Sequence, residues 1–128
     1  MRYLLDTCAW IFILTANDRL SENQKKAIFA PDHTIYISVV SVWEMTIKIS
    51  KGKLQLPKPL DILLFESCLQ DNYQILDLNI FSVLNTSNLP WHHQDPFDRM
   101  LIAQAIDNDL IIITTDSIFT QYKVKLIQ

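Results

Sequence analysis

The chain has 128 residues, 49% of them hydrophobic, and a formal net charge of −3. That is enough for one domain with its own core, and it excludes a disordered chain. The acidic balance excludes binding of nucleic acid through overall charge alone, and a single glycine, Gly52, excludes the P-loop and the dinucleotide fingerprint.

Arg2 to Leu5 reads as a short strand, and Thr7-Cys8-Ala9-Trp10 as the start of a helix. Asp6 between them is either a helix N-cap or part of a site. It also interrupts the first apolar segment too early for a secretory signal, and no apolar stretch is long enough to cross a bilayer. A cytoplasmic location is expected. Cys8 and Cys68 form no CxxC pair, so they predict two reduced thiols, one or both buried, rather than zinc or a disulfide.

Ser21 to Gln24 has capping-box spacing and begins a helix through about Phe29. His33, in a Pro31-Asp32 turn, is expected to be exposed. Thr34 to Val40 is β-branched and aromatic and predicts a strand. Ser41 then caps a helix through about Ile49, with Gly52 just past its end. Lys48, Lys51 and Lys53 make either a cationic patch for a polyanion or a solvated helix end complementing the dipole. The second is the ordinary reading.

Pro57 and Pro59 mark a connection. Leu60 to Leu69, with Phe65, predicts a largely buried helix that covers the core or makes a subunit contact. Tyr73 to Leu78 reads as a strand, Ile80 to Leu84 as a short helix, and Asp95-Pro96 as the start of a helix to about Ile106. Leu110 to Thr115 is a continuous apolar strand of the kind buried in a parallel sheet, and Lys123 to Ile127 adds an edge strand. The alternation predicts a single domain of α/β class, with a mostly parallel sheet of four to five strands between two helical layers.

Ligands of such sheets bind beyond the carboxyl ends of the strands. Asp6 and Asp116 directly follow strands, while Glu44 and Asp98 fall in the first turns of helices. Each has a structural alternative. Ser41 and Glu44 fit a capping box, Asp95-Pro96-Phe97-Asp98 fits an ordinary helix start, and Asp6 and Asp116 fit N-caps. Together, four carboxylates at one edge repel one another and raise their pKa values unless a cation holds them. Oxygen-only ligands suit Mg²⁺ or Mn²⁺, and such ions support phosphodiester displacement.

LLDTCAW, ISVVSVWEMTIK, DPFDRMLIAQA and LIIITTDSIF, in that order, resemble the motifs of the PIN-domain nucleases. More narrowly they resemble the VapC-type toxins of bacterial toxin–antitoxin pairs, over Tyr3 to about Phe119. The resemblance implies a site for one or two divalent ions and a metal-dependent endoribonuclease. Its acids carry over onto Asp6, Glu44, Asp98 and Asp116, with Asp95 beside them. Thr7, Ser38 and Thr115 match polar positions that hold a carboxylate or water. It also implies a homodimer, an RNA substrate and a small antitoxin seated over the acidic groove. On this reading Asp6, Asp98 and Asp116 hold Mg²⁺, and Glu44 binds a second ion or orients water. Arg99 touches RNA phosphate or makes a surface ion pair.

His92 and His93 invite a metal or acid–base role, yet adjacent side chains seldom converge on one ion, so an ordinary loop is expected. Trp10, Trp43 and Trp91 could stack on bases, though packing in the core or an interface is favoured. Other readings stay open. An aspartate-nucleophile phosphatase needs a second acid where Cys8 stands. A non-catalytic module is either a PIN fold kept for protein binding or a receiver-like domain, phosphorylated on an aspartate, that would use Lys123 or Lys125.

Overall fold

Alternating apolar residues sort themselves onto two faces of a central sheet. A computed structural model describes residues 1–128. Its five strands are β1 (Arg2–Leu5), β2 (Thr34–Ser38), β3 (Gln74–Leu76), β4 (Ile111–Ile113) and β5 (Leu126–Ile127). They run in the order β3-β2-β1-β4-β5, and every pairing is parallel. Tyr3, Leu5, Ile35, Ile37 and Ile113 enter one apolar cluster, while Leu4 and Ile112 enter the other. This is the period-two geometry of strands.

Helices α1 (Thr7–Thr15), α2 (Glu22–Phe29), α3 (Val39–Ser50), α4 (Leu60–Gln70), α5 (Ile80–Asn85) and α6 (Pro96–Asn108) complete a three-layer α/β/α arrangement. Trp10 of α1, Ala27 and Ile28 of α2 and Met45 of α3 pack on the first face. Leu101, Ile102 and Ala105 of α6 pack on the second. No helix is long and apolar enough to cross a membrane.

The local signals act as their chemistry requires. The Ser21 hydroxyl accepts from the Gln24 amide, and the Gln24 side chain accepts from the Ser21 amide, closing the capping box of α2. Asp95 accepts from the amides of Phe97 and Asp98, and Pro96 takes the first helical position. Gly52 adopts φ +68° beyond α3. There the Gly52 and Lys53 amides donate to the Ile49 and Lys48 carbonyls, a Schellman ending.

Several expected boundaries move. The strand expected over Thr34 to Val40 stops at Ser38, which caps α3 in place of Ser41 by accepting from the Val40 amide at 3.0 Å. Ser41 is drawn inward, accepting a hydrogen bond from Thr7. The strands expected over Tyr73–Leu78, Leu110–Thr115 and Lys123–Ile127 are shorter, because their outer residues turn toward helices and loops. Helix α4 corrects the expectation of burial: only Leu63 and Ser67 are buried, and Ile62, Phe65 and Leu69 face solvent. Both cysteines are free, but neither is buried: Cys8 is exposed and Cys68 half-buried.

Candidate active site

The strand order reverses direction around β1, and the carboxyl ends of β1 and β4 lie side by side at that point. Asp6 follows β1 and caps α1, accepting from the Ala9 amide at 2.7 Å. Its other oxygen accepts from the Thr114 hydroxyl at 2.5 Å. Thr114 in turn accepts from the Asp116 amide at 3.0 Å, so one hydroxyl links the ends of both strands. Asp116 caps the 3-10 turn Ser117–Gln121. Asp98 projects from the first turn of α6.

Asp6 is only 3% exposed. Burial pushes its carboxyl up to about 6, against the hydrogen bonds from Thr114 and Ala9, and the charges of Asp116 and Glu44 push further. Asp98 is raised to about 7, first by burial and then by Asp95 and Asp6. The acids therefore share one field, as the sequence reading requires. Cys8, exposed at the rim, has its thiol only partly shielded from water, and this shielding together with Asp6 pushes it up to about 11, so it stays protonated.

Glu44 is placed differently from the expectation. Because α3 begins at Val39, Glu44 lies in the second turn and makes no capping box with Ser41. One of its oxygens pairs with Lys48 at 3.0 Å, and the other is buried without a hydrogen-bond partner. Burial opposes the Lys48 charge, but the bond to Glu44 and the surrounding acids leave its ammonium strengthened. Lys48 thus belongs to the acidic edge, whereas Lys51 and Lys53 lie exposed at the helix end.

The flanking residues need more correction. Thr115 is exposed, and its neighbour Thr114 makes the bond to Asp6. Ser38 donates to Gln104 at 2.6 Å, and Thr7 donates to Ser41 at 3.0 Å, so neither hydroxyl reaches an acid. Asp95 joins the field as well as capping α6. Arg99 makes no surface ion pair. Only 4% exposed, it donates to the carbonyls of Thr86, Leu89, Pro90 and His93 and lies under the Trp91 ring.

His93 is the residue that sequence reasoning undervalues. Its Nε2 lies 2.9 Å from Asp98 Oδ2 and 3.0 Å from Asp116 Oδ2. His92 instead packs edge-on against Tyr122. The usable signal was the His93-x-Asp95 spacing, which lets a ring nitrogen accept the Asp95 amide just before α6. His33 is half-buried rather than exposed, its Nδ1 at 2.9 Å from the Ala27 carbonyl. Trp10 is buried in the core as favoured, but Trp43 and Trp91 are 62% and 65% exposed. Trp43 rests edge-on against Phe97, next to Asp98.

The donor set fits a hard divalent cation. Oxygen acids come from four chain segments, two of them are pushed toward protonation, and one buried Glu44 oxygen lacks any partner. A receiver-like reading finds neither of its lysines at the acids: Lys125 pairs with Asp109 beyond the end of α6, and Lys123 lines the same recess beside Asp109 and Leu110.

The sequence model of the PIN domain family matches residues 3–125. No curated protein matches the chain. Among solved structures, VapBC2 from Rickettsia felis bound to a promoter DNA fragment is similar at 16% identity and TM-score 0.69, covering 99% of this chain and 98% of that one. DNA-bound VapBC from Salmonella typhimurium is similar at 16% identity and TM-score 0.69, covering 99% and 97%. VapBC-5 from Mycobacterium tuberculosis, a member of the VapBC family of toxin–antitoxin systems, aligns at 17% identity and TM-score 0.62, covering 99% and 98%. At these identities the likeness is one of fold.

Proposed function

Because the chain belongs to the PIN domain family, we propose that it is a Mg²⁺- or Mn²⁺-dependent endoribonuclease and the toxin of a toxin–antitoxin pair. The observation that carries this reading is the acid cluster, in which a buried Glu44 oxygen has no partner. Carboxylates are not gathered and left unsatisfied for stability alone.

Asp6, Asp98 and Asp116 would hold the ion, and Glu44 would hold a second one or orient water. Such an ion, when bound, lowers the pKa of water and neutralises charge building on the phosphate. The protein's own residues do the rest. Thr114 fixes the rotamer of Asp6 through its hydroxyl, and Asp95 sets the start of α6 so that Asp98 faces the edge. Burial and the neighbouring acids push Asp98 up to about 7, and a bound cation would favour its ionised form. Lys48 supplies positive charge beside Glu44, which a chain of net charge −3 needs to hold RNA. Trp43, exposed beside Phe97, offers a face for a base.

The partners follow from the same reading. Ile62, Phe65 and Leu69 of α4 and Ile80, Phe81 and Leu84 of α5 are exposed, and such apolar surface suits a second copy of the chain and a small antitoxin. The toxin would act in the cytoplasm, on RNA. Purified protein should cut RNA in Mn²⁺ and spare it in chelator, and Asp6→Asn should lose cleavage while keeping the fold. Undiminished cleavage by that variant would refute the assignment. Stable phosphorylation by a small phosphoryl donor, read by mass, would favour a receiver-like module instead.

A further inference from the structure

His93 carries the strongest unassigned geometry in the molecule. We infer that His93 is a positioning residue of the acid cluster: it holds Asp116 through Nε2–H with Asp98 packed against the same nitrogen, and it is not itself a metal ligand. The inference rests on the reading of these acids as a divalent-cation site and adds a residue outside their set.

The tautomer follows from the bonds. A neutral imidazole has one donor nitrogen and one acceptor nitrogen. The Asp95 amide donates to His93 Nδ1 at 3.1 Å, so Nδ1 is the acceptor and the proton sits on Nε2. That proton is donated to Asp116 Oδ2 at 3.0 Å, and Asp98 Oδ2 lies beside the same nitrogen at 2.9 Å. For Nε2 to ligate a cation, the proton would have to move to Nδ1. There it would point at the Asp95 N–H, two donors in opposition. The ring's own hydrogen bond thus selects donor over ligand.

The ring is also held firmly enough to position others. The His93 amide donates to the Tyr122 hydroxyl at 2.8 Å, and that hydroxyl donates to the Pro90 carbonyl at 2.9 Å. Phe119 packs against the ring edge, with centroids 5.9 Å apart. The His93 carbonyl accepts from Arg99 at 3.4 Å. Asp98 rides on α6 and Asp116 follows β4, so their carboxylates come from separate elements. The His93 N–H fixes one oxygen of Asp116 and the Ile118 amide holds the other at 2.9 Å, while Asp98 Oδ2 is set against the same ring nitrogen. Outer partners of this kind set ligand orientation, and their loss lowers metal affinity about 10- to 100-fold.

The test measures Mn²⁺ affinity by electron paramagnetic resonance on the whole chain, with wild type, Asp98→Asn, His93→Ala and His93→Gln. Wild type should bind, Asp98→Asn should not, and His93→Ala should bind at least about tenfold more weakly. His93→Gln, which returns an N–H near the Nε2 position, should recover most of the loss; a merely structural role of the ring would not be rescued this way. Nitrogen-15 spectra of the imidazole should show the proton on Nε2 both without and with Mg²⁺. Wild-type affinity in His93→Ala, no recovery in His93→Gln, or a proton on Nδ1 in either state overturns the inference while leaving the cation site standing. If wild type binds no Mn²⁺, or Asp98→Asn binds it equally well, the site reading itself falls and the inference with it.

Discussion

Two polar clusters meet at the start of α6, and they are built on opposite terms. Around Arg99 a buried charge is fully used: four backbone carbonyls accept from it and the Trp91 ring covers it, with the guanidinium carbon 3.6 Å from the ring centroid. One position earlier, Asp98 faces other acids, and burial and repulsion hold its carboxyl near 7. The first cluster fixes the loop before α6 at low electrostatic cost. The second keeps like charges close together and leaves one buried Glu44 oxygen without a partner. Paired charge marks the loop scaffold, and crowded like charge marks the site.

The contrast is broken most severely from the Arg99 side. Arg99→Ala removes charge-assisted bonds that join α6 to the segment from Thr86 to His93, and should cost about 4 kcal/mol of stability, measured by urea unfolding. Arg99→Lys should not restore it, because an ammonium cannot reproduce the planar fork. A loss below about 1 kcal/mol would show that the loop is held elsewhere.

On the acid side the sign reverses. Asp6 and Asp98 have folded pKa values of about 6 and 7, above the ordinary value of 3.8. The folded state therefore binds more protons than the unfolded state between these limits. Their contribution is fully present below about pH 4 and is lost as pH rises through 6 to 7. Metal-free protein should lose about 3 kcal/mol between pH 5 and pH 8 from Asp6 and its neighbours, and Mn²⁺ should return much of it. A flat stability profile in chelator across that range would remove the argument from buried repulsion.

The same contrast explains what could be read in the amino-acid sequence. The Ser21 capping box, the Asp95-Pro96 start and the apolar runs of β1 and β4 are local signals, and the elements form where those signals stand. Placing Asp6, Asp98 and Asp116 at one edge needed only the parallel alternation. Which of two neighbouring hydroxyls acts was not local. Thr114 rather than Thr115 meets Asp6 because neighbouring residues of an extended chain face opposite sides, and the apolar run does not say which of the two faces Asp6. Ser38 rather than Ser41 caps α3 because Thr7, far away in sequence, claims Ser41. Arg99 and His93 were misjudged for a related reason: their partners are loop carbonyls and acids on other elements, which no periodicity records. Exposed apolar residues on α4 show the limit of patterning, since a helix can be apolar on a face that its own domain leaves open.

Trp91 gives the smallest and most selective way to separate the clusters. Its ring is 65% exposed yet lies over the Arg99 guanidinium, so it could be mistaken for a platform for bases. A cation–π contact at an exposed ring contributes about 1 kcal/mol. Trp91→Leu keeps the apolar cover but loses the ring, while the four carbonyls continue to hold the guanidinium. The melting temperature should fall by about 3–4 °C for a domain of this size. Mn²⁺ affinity and the KM for RNA should not change, because none of the acids touches Trp91. A raised KM with an unchanged melting temperature would instead assign Trp91 to substrate binding. The scaffold would then extend into the site, and the division between the two clusters would not hold.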